Sequence, residues 1–418
     1  GKRFVMVFPP MFYDQGVVYT KLYLATKFSN VTCNVSVPNH DTSHTYVLTD
    51  GFTEIQMDKV LMPEENKRGD YGVEITASED ITVYGIKRDF FTRTAFLVLP
   101  YKSLSNQYLI TSVKPMPYKN GWRIYNSTIS IVSATDKNYV NIKLKVDGTI
   151  QHGGKSYGNG EFIRITLNKY EHYVLSSHEH DLTGTLVTSV DPVAVSTGNT
   201  CGRLHDGYAC SGLYTMTPPT SSLQKTFIVP PLQSQPHGFN TRIVAASDLT
   251  RLTVHYRGQE QQVDLNKQEY YDVRCNESKP VYIESNFGVI VSQMTPGKNN
   301  EDGAGAAFMM YVPAVSQYKT QYNFFVPGEE LSSLISVIAR DISKIQLDNN
   351  IIRVNSNDIQ TVEANEGEFQ IAEIKISSGY HVITDTDGRT FSVFVHGKKQ
   401  PSLGYGYNIG YYLLDGSQ

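Results

Sequence analysis

The sequence predicts an all-β protein of four tandem β-sandwich-like repeats, each of about 100 residues and able to pack compactly. Two observations carry that prediction. The composition, with 28 Tyr, 32 Gly and 18 Pro among 418 residues, favours pleated strands and tight turns over helices. The chain also resembles itself at a regular spacing, the mark of a repeat architecture.

Each repeat opens on an aromatic-apolar strand ending in proline: "FVMVFPP" (4–10), "YLITSVKP" (108–115), "TFIVPP" (226–231) and "YNFFVP" (322–327). Proline cannot donate to a ladder, so it marks the strand end. A hairpin-like pair with period-2 alternation follows in "LYLATKFSNVTCNVSV" (22–37), "ISIVSATDKNYVNIKL" (129–144), "TRIVAASDLTRLTVHY" (241–256) and "ISVIARDISKIQL" (335–347). A second such pair recurs in "GVEITASEDITVYG" (72–85), "HYVLSSHEHDLTGTLVTSV" (172–190), "PVYIESNFGVIVSQ" (280–293) and "HVITDTDGRTFSVFVHG" (381–397). An aromatic strand closes each repeat: "TAFLVLP" (94–100), "GLYTMTPP" (212–219), "AAFMMYVP" (306–313) and "IGYYLL" (409–414). The repeats then span 1–106, 107–224, 225–319 and 320–418. Sandwiches fit this length better than propeller blades of about 40 to 50 residues.

The formal charge of -4, from 37 basic and 41 acidic residues without a basic run, lacks the footprint of a nucleic-acid binder. No apolar run reaches the roughly 20 residues of a membrane span, so no membrane insertion is expected. The opening at Gly1 reads as a processed or trimmed segment. Four N-x-[ST] acceptors, Asn30, Asn34, Asn126 and Asn276, beside four cysteines point to a secreted, oxidised, glycosylated chain.

Several short motifs suggest chemistry without supplying its context. "SSHEHD" (176–181) gathers His178, Glu179, His180 and Asp181, but it falls on a predicted turn and lacks the helical spacing of a zinc motif. "GGKSYG" (153–158) matches G-x-S-x-G formally and sits in a Gly-rich connection instead of a strand-to-helix elbow. His205 lies between Cys201 and Cys210, whose pairing would close a short loop and remove the free thiol that a Cys-His pair requires. With no metal, cofactor or catalytic constellation indicated, the expectation is a non-enzymatic binding protein.

Binding candidates are clearer. Arg68-Gly69-Asp70 is the tripeptide that adhesion receptors read on a glycine turn, and it precedes the second pair of its repeat. Tyr405 and Tyr407, in the Gly-rich "LGYGYN" (403–408), are placed in a variable loop where tyrosine serves recognition. Cys33 and Cys275 each precede a sequon asparagine. They either pair, joining the first repeat to the third, or stay as two buried thiols.

The segments "GKRFVMVFPP" (1–10), "PVAVSTGNTCGRLHDGYACSGLYTMTPPTSSLQKTFIVPP" (192–231) and "FMMYVP" through "FFVP" (308–327) resemble the N-terminal IgGFc-binding-protein domain of secreted mucus and surface proteins. The usual acidic stretch after the second cysteine reads Ser211-Gly212-Leu213 here. The resemblance implies an extracellular, β-rich, non-catalytic module that binds a protein or glycoprotein partner in adhesion or recognition. A self-associating mucus or matrix component is the alternative.

Overall fold

The computed structural model describes residues 1–10, 17–58, 63–89, 93–115, 125–202, 204, 210–232, 238–297, 307–328, 332–399 and 403–413. These form strands and short 3-10 turns. The strands gather into four sets in chain order, and the sequence periodicity explains what each strand buries. In Val31–Val37, for example, Val31, Cys33, Val35 and Val37 face inward while Thr32 and Asn34 face out.

The segments predicted as hairpins alternate as expected but pair differently. Val17–Ala25 pairs with Phe52–Met57 and Thr82–Asp89, whereas Val31–Val37 pairs with Thr42–Leu48 and Val73–Ala77. The chain therefore crosses from one sheet of the sandwich to the other. Ser127–Ser133 and Asn138–Lys143 likewise pair with different halves of the long strand Leu186–Gly202. Alternation cannot separate a hairpin from a crossing; the turn can. A tight hairpin uses a two-residue primed turn. Here one left-handed residue, Asn30 (φ 56°), Lys137 (φ 52°) or Leu249 (φ 56°), immediately precedes the second strand. In the second and third sets, Leu186–Gly202 and Val281–Met294 run unbroken through both sheets. Ser285–Gly288 thus lies inside a strand, and His178–Asp181 stands in the loop before one.

The four sets close into a four-bladed, propeller-like ring. Its innermost strands, Arg93–Val98, Ser211–Met216, Met309–Tyr311 and Leu403–Asn408, pack in cyclic order about a small apolar space lined by Phe96, Met216, Met310, Tyr407 and Tyr411. Thr94 donates to Gly212 O at 2.9 Å, and Phe96 meets Tyr214 edge-on at 5.0 Å. Side chains of this kind, wholly removed from water, each contribute roughly 1.5–3 kcal/mol by burial.

That ring corrects the placement of two tyrosines. Tyr405 and Tyr407 belong to the fourth inner strand and are 0% and 1% exposed. Their hydroxyls bond to Ser333 Oγ and Phe325 O. "IGYYLL", predicted as that strand, follows it instead. The glycines made the stretch look like a loop, but Gly406 is there for packing. A Cβ on it would lie 2.3 Å from the Phe308 ring.

The cysteines divide. Cys201 and Cys210 form a disulfide; the residues between them, except Gly202 and Leu204, His205 included, lie outside the described set. Cys33 and Cys275 are free and buried, each in a different hydrophobic core, the first among Val31, Val35 and Ile75, the second among Phe239, Val273 and Val281. Burial pushes their thiols up to about 11 and about 12. The inward position adjacent to each sequon is satisfied by apolar packing, so no bridge between the two cores is needed.

Each seam between neighbouring sets has its own lock. Arg68–Gly69 from the first adds an edge to the second through His172–Ser177. Arg242 of the third reaches Asp181 of the second at 2.7 Å. Gln360 Nε2 of the fourth donates to Ser278 O of the third, and Tyr380 OH of the fourth donates to Thr26 O of the first.

Candidate functional site

A groove of about 660 Å³ opens on the second set where the Arg68–Gly69 strand joins it, within the size range of ligand sites. One wall follows from simple alternation. In Asn138–Lys143, Val140 and Ile142 enter the core, leaving Tyr139 and Asn141 outside; in Phe162–Leu167, Ile163 and Leu167 enter it, leaving Arg164 and Thr166 outside. The antiparallel register sets Asn141 opposite Arg164 and Tyr139 opposite Thr166, so the four make one patch. The other wall carries Asn66, Arg68, His152 and Tyr173.

The electrostatics of the groove are one-sided. Arg68 and Arg164 are exposed, and neither pairs with a carboxylate among the described residues. No Asp or Glu is among the groove's described lining. The Arg164 guanidinium rests 5.4 Å from the Phe162 ring, a cation-π contact that steadies it. Tyr139 is 61% exposed, a large aromatic face in water. His152 Nδ1 lies 2.8 Å from Tyr173 OH, and burial lowers the imidazole pKa, favouring its neutral form. The groove can therefore offer two guanidiniums, an amide, a hydroxyl and a ring.

The Arg68-Gly69-Asp70 tripeptide does not form the expected turn. Arg68 and Gly69 pair in extended register with Tyr173 and His172. Arg68 lines the groove, while Asp70 Oδ1 lies 3.0 Å from His40 Nε2. Glycine is required here by close packing: a Cβ on Gly69 would stand 2.6 Å from His172 Cε1.

His172 makes this seam sensitive to pH. The Tyr71 N–H donates to its Nδ1 at 3.2 Å, which requires an unprotonated acceptor. Burial lowers the imidazole to about 4, overcoming the opposing pull of Asp70 and Glu171. The unfolded chain, with histidine near 6.5, takes up the proton first as pH falls. Stability supplied by neutral His172 is thus complete above about pH 6.5 and lost between 6.5 and 4, at most about 3 kcal/mol. Denaturant midpoints of wild type and His172→Gln should converge over that window; a constant separation would refute the neutral buried imidazole.

The remaining motifs have local partners. His180 Nδ1 pairs with Asp147 at 2.5 Å, and His178 with Glu179 at 3.4 Å. Asp181 bonds to Thr183 and Arg242. No group of three His, Cys, Asp or Glu able to hold a metal occurs among the described residues. Lys155–Gly158 pairs with Thr149–His152 through Gly153 and Gly154, so Ser156 sits on a hairpin and not an elbow. Asn30 and Asn276 are exposed and Asn34 is half-buried, whereas the Asn126 amide donates to Glu65. Tyr139, Asn141 and Arg164 read in sequence as ordinary outward positions. The one available signal was an arginine without an acid at the cross-strand sites.

Comparison with known proteins now bears on the chain. A family model described as IgGFc binding protein matches residues 94–397. The chain belongs to this family. Human IgGFc-binding protein is 26% identical over 310 residues, 74% of this chain but 6% of that protein. The chain thus spans a small part of its IgGFc-binding relative. Among solved structures, a calcium-stabilised adhesin with which an Antarctic bacterium binds ice is 7% identical, with 98% of each chain covered and a TM-score of 0.12. The major pilin of Streptococcus pyogenes is 6% identical over 73% of this chain and 97% of its own, with a TM-score of 0.14. At these scores neither bears on the fold or the site. No helix among the described residues is long and apolar enough to cross a membrane.

Proposed function

We propose that this IgGFc-binding family member is a secreted, non-catalytic recognition module that binds an extracellular protein or glycoprotein through the groove beside Arg68. The family match over 94–397 carries the reading. The groove supports it with two guanidiniums that meet no carboxylate among the described residues and an exposed aromatic face, on a four-part scaffold whose parts we bound near 106, 224 and 319. The human relative's name specifies IgG Fc, which makes purified Fc a defined first probe.

The test is a pull-down with the glycosylated chain as bait against purified Fc and against cell-surface and mucus extracts, in parallel with Arg68→Gln/Arg164→Gln. A partner captured by wild type and lost with the double variant supports the reading. Recovery of the bait's own chain alone would favour the self-associating alternative, and retention by the variant would move the site elsewhere.

Secretion carries its own expectation. Glycans should map to exposed Asn30 and Asn276, and Asn126 should be vacant because its amide is engaged by Glu65. Peptide mapping of the secreted protein before and after enzymatic deglycosylation reads this directly. Full occupancy of Asn126 would contradict that seam.

A further inference from the structure

We propose that the groove takes an acidic saccharide, its carboxylate or sulfate held between Arg68 and Arg164 and a sugar face laid on Tyr139. This deepens, and rests on, the recognition reading above.

The charge comes first. A guanidinium presents a planar fork of donors that matches a carboxylate or sulfate oxygen pair. Several surface arginines of this chain find acids, as Arg3 does Glu74 and Arg257 does Glu277, whereas Arg274 and Arg353, like the groove's pair, have none among the described residues. The corresponding face of the third set has a groove of about 580 Å³ lined by Arg251, Asp264 and Glu284. There Arg251 Nε donates to Asp264 at 2.8 Å across the strands. In the second set that cross-strand position holds Tyr139 and Thr166, and Arg164, two residues along, faces Asn141 with no acid opposite it. Two arginines with no acid in the lining leave the anion to come from outside.

The remaining groups select a sugar over a peptide. Tyr139 is the most exposed aromatic ring among the described residues, and an open ring presents the flat apolar surface that a pyranose C–H face covers. Beside it, the Asn141 amide and Thr166 hydroxyl have no side-chain hydrogen bond among the described residues, so both can bond to sugar hydroxyls. Neutral His152, held by Tyr173, adds a further polar edge without adding charge. Two edge strands, Phe162–Leu167 and Arg68–Gly69, border the groove, so an added peptide strand is the competing occupant, and the acidic peptide in the titration below tests it.

Calorimetric titration of the whole chain with one neutral oligosaccharide core and its sialylated and sulfated forms tests the proposal at two ionic strengths. The acidic forms should bind, more weakly in high salt, and the neutral core should not. Arg68→Gln and Arg164→Gln should each weaken binding by roughly tenfold or more. Tyr139→Ala should weaken both acidic forms, and Arg251→Gln should change nothing. Preference for the sialylated or the sulfated form identifies the anion, and either supports the site. Equal binding of the neutral core, equal binding of a hexaglutamate peptide, or no saccharide binding would overturn it. If saccharides fail while a pull-down partner is still lost with the double variant, recognition survives and the saccharide does not; if both fail, both fall. Unchanged thermal melts of these surface variants exclude misfolding as the cause.

Discussion

Replacing Arg242 with methionine is expected to destabilise the protein by about 3 kcal/mol, among the largest effects of any single side chain here. Arg242 is 7% exposed and spends its donors on both sides of a seam. Nε and Nη2 hold Asp272 at 2.8 and 2.7 Å within the third set. Nη1 reaches Asp181 at 2.7 Å and Thr183 Oγ1 and Ser112 O at 2.9 Å in the second. Tyr270 covers the guanidinium at 4.1 Å. Methionine fills much of the same space but leaves two carboxylates without their cation, one of them with its side chain only 14% exposed. The cost is that of stranded charge more than of a lost attraction. Asp272 is one-third exposed, and water reaching it keeps the figure at the lower end for a broken buried pair. Denaturant unfolding measures the loss. Adding Asp181→Asn and Asp272→Asn should recover part of it, because the stranded charges go too. Arg251→Met, in a fully exposed pair, should have little effect. Equal effects at Arg242 and Arg251 would show that the seam is not closed.

The same arginine shows how far the sequence could be read. Asp181 is visible in the sequence as part of a site-like cluster on a predicted turn. Its partner lies 61 residues away in another repeat, and nothing local announces it. Strand alternation was legible throughout, because it records which side of a strand meets apolar neighbours. Strand pairing was not, because a hairpin and a sheet crossing share that alternation and differ at one left-handed residue. Leu249 at φ 56° is a case no turn propensity favours. The inner strand of the fourth set was misplaced for a related reason. In "LGYGYN" glycine answers to a facing phenylalanine, not to a turn, and that contact comes from the third set. Of the groove's lining, the sequence singled out one residue. Arg68 stood out because of its tripeptide, for a role the extended backbone does not support. Tyr139 and Arg164 acquire meaning only once the register brings them beside Arg68.

Close approach of backbones governs the second large effect. Gly198→Ala is expected to cost about 3 kcal/mol, at the upper end for overpacking. Gly198 lies in Leu186–Gly202, between Thr128 on one side and Tyr214 on the inner strand. A Cβ there would stand 1.8 Å from Leu213 O and 2.9 Å from Tyr214 Cα. These are backbone atoms, so no rotamer change relieves the clash; the inner strand must move. Tyr214 would move with it, straining its bond to Val7 O at 2.9 Å and its edge contact with Phe96. The strain then passes to the neighbouring set, since Arg93–Val98 packs directly on this strand. Gly153→Ala provides the contrast. Gly153 has a left-handed φ of 55° but open space around its Cβ position, so alanine there should cost only the roughly 1–2 kcal/mol of that backbone conformation. Parallel thermal and denaturant melts rank the two. If Gly198→Ala proves no worse than Gly153→Ala, the inner ring is looser than its distances imply, and the rigid scaffold on which the groove depends would have to be abandoned.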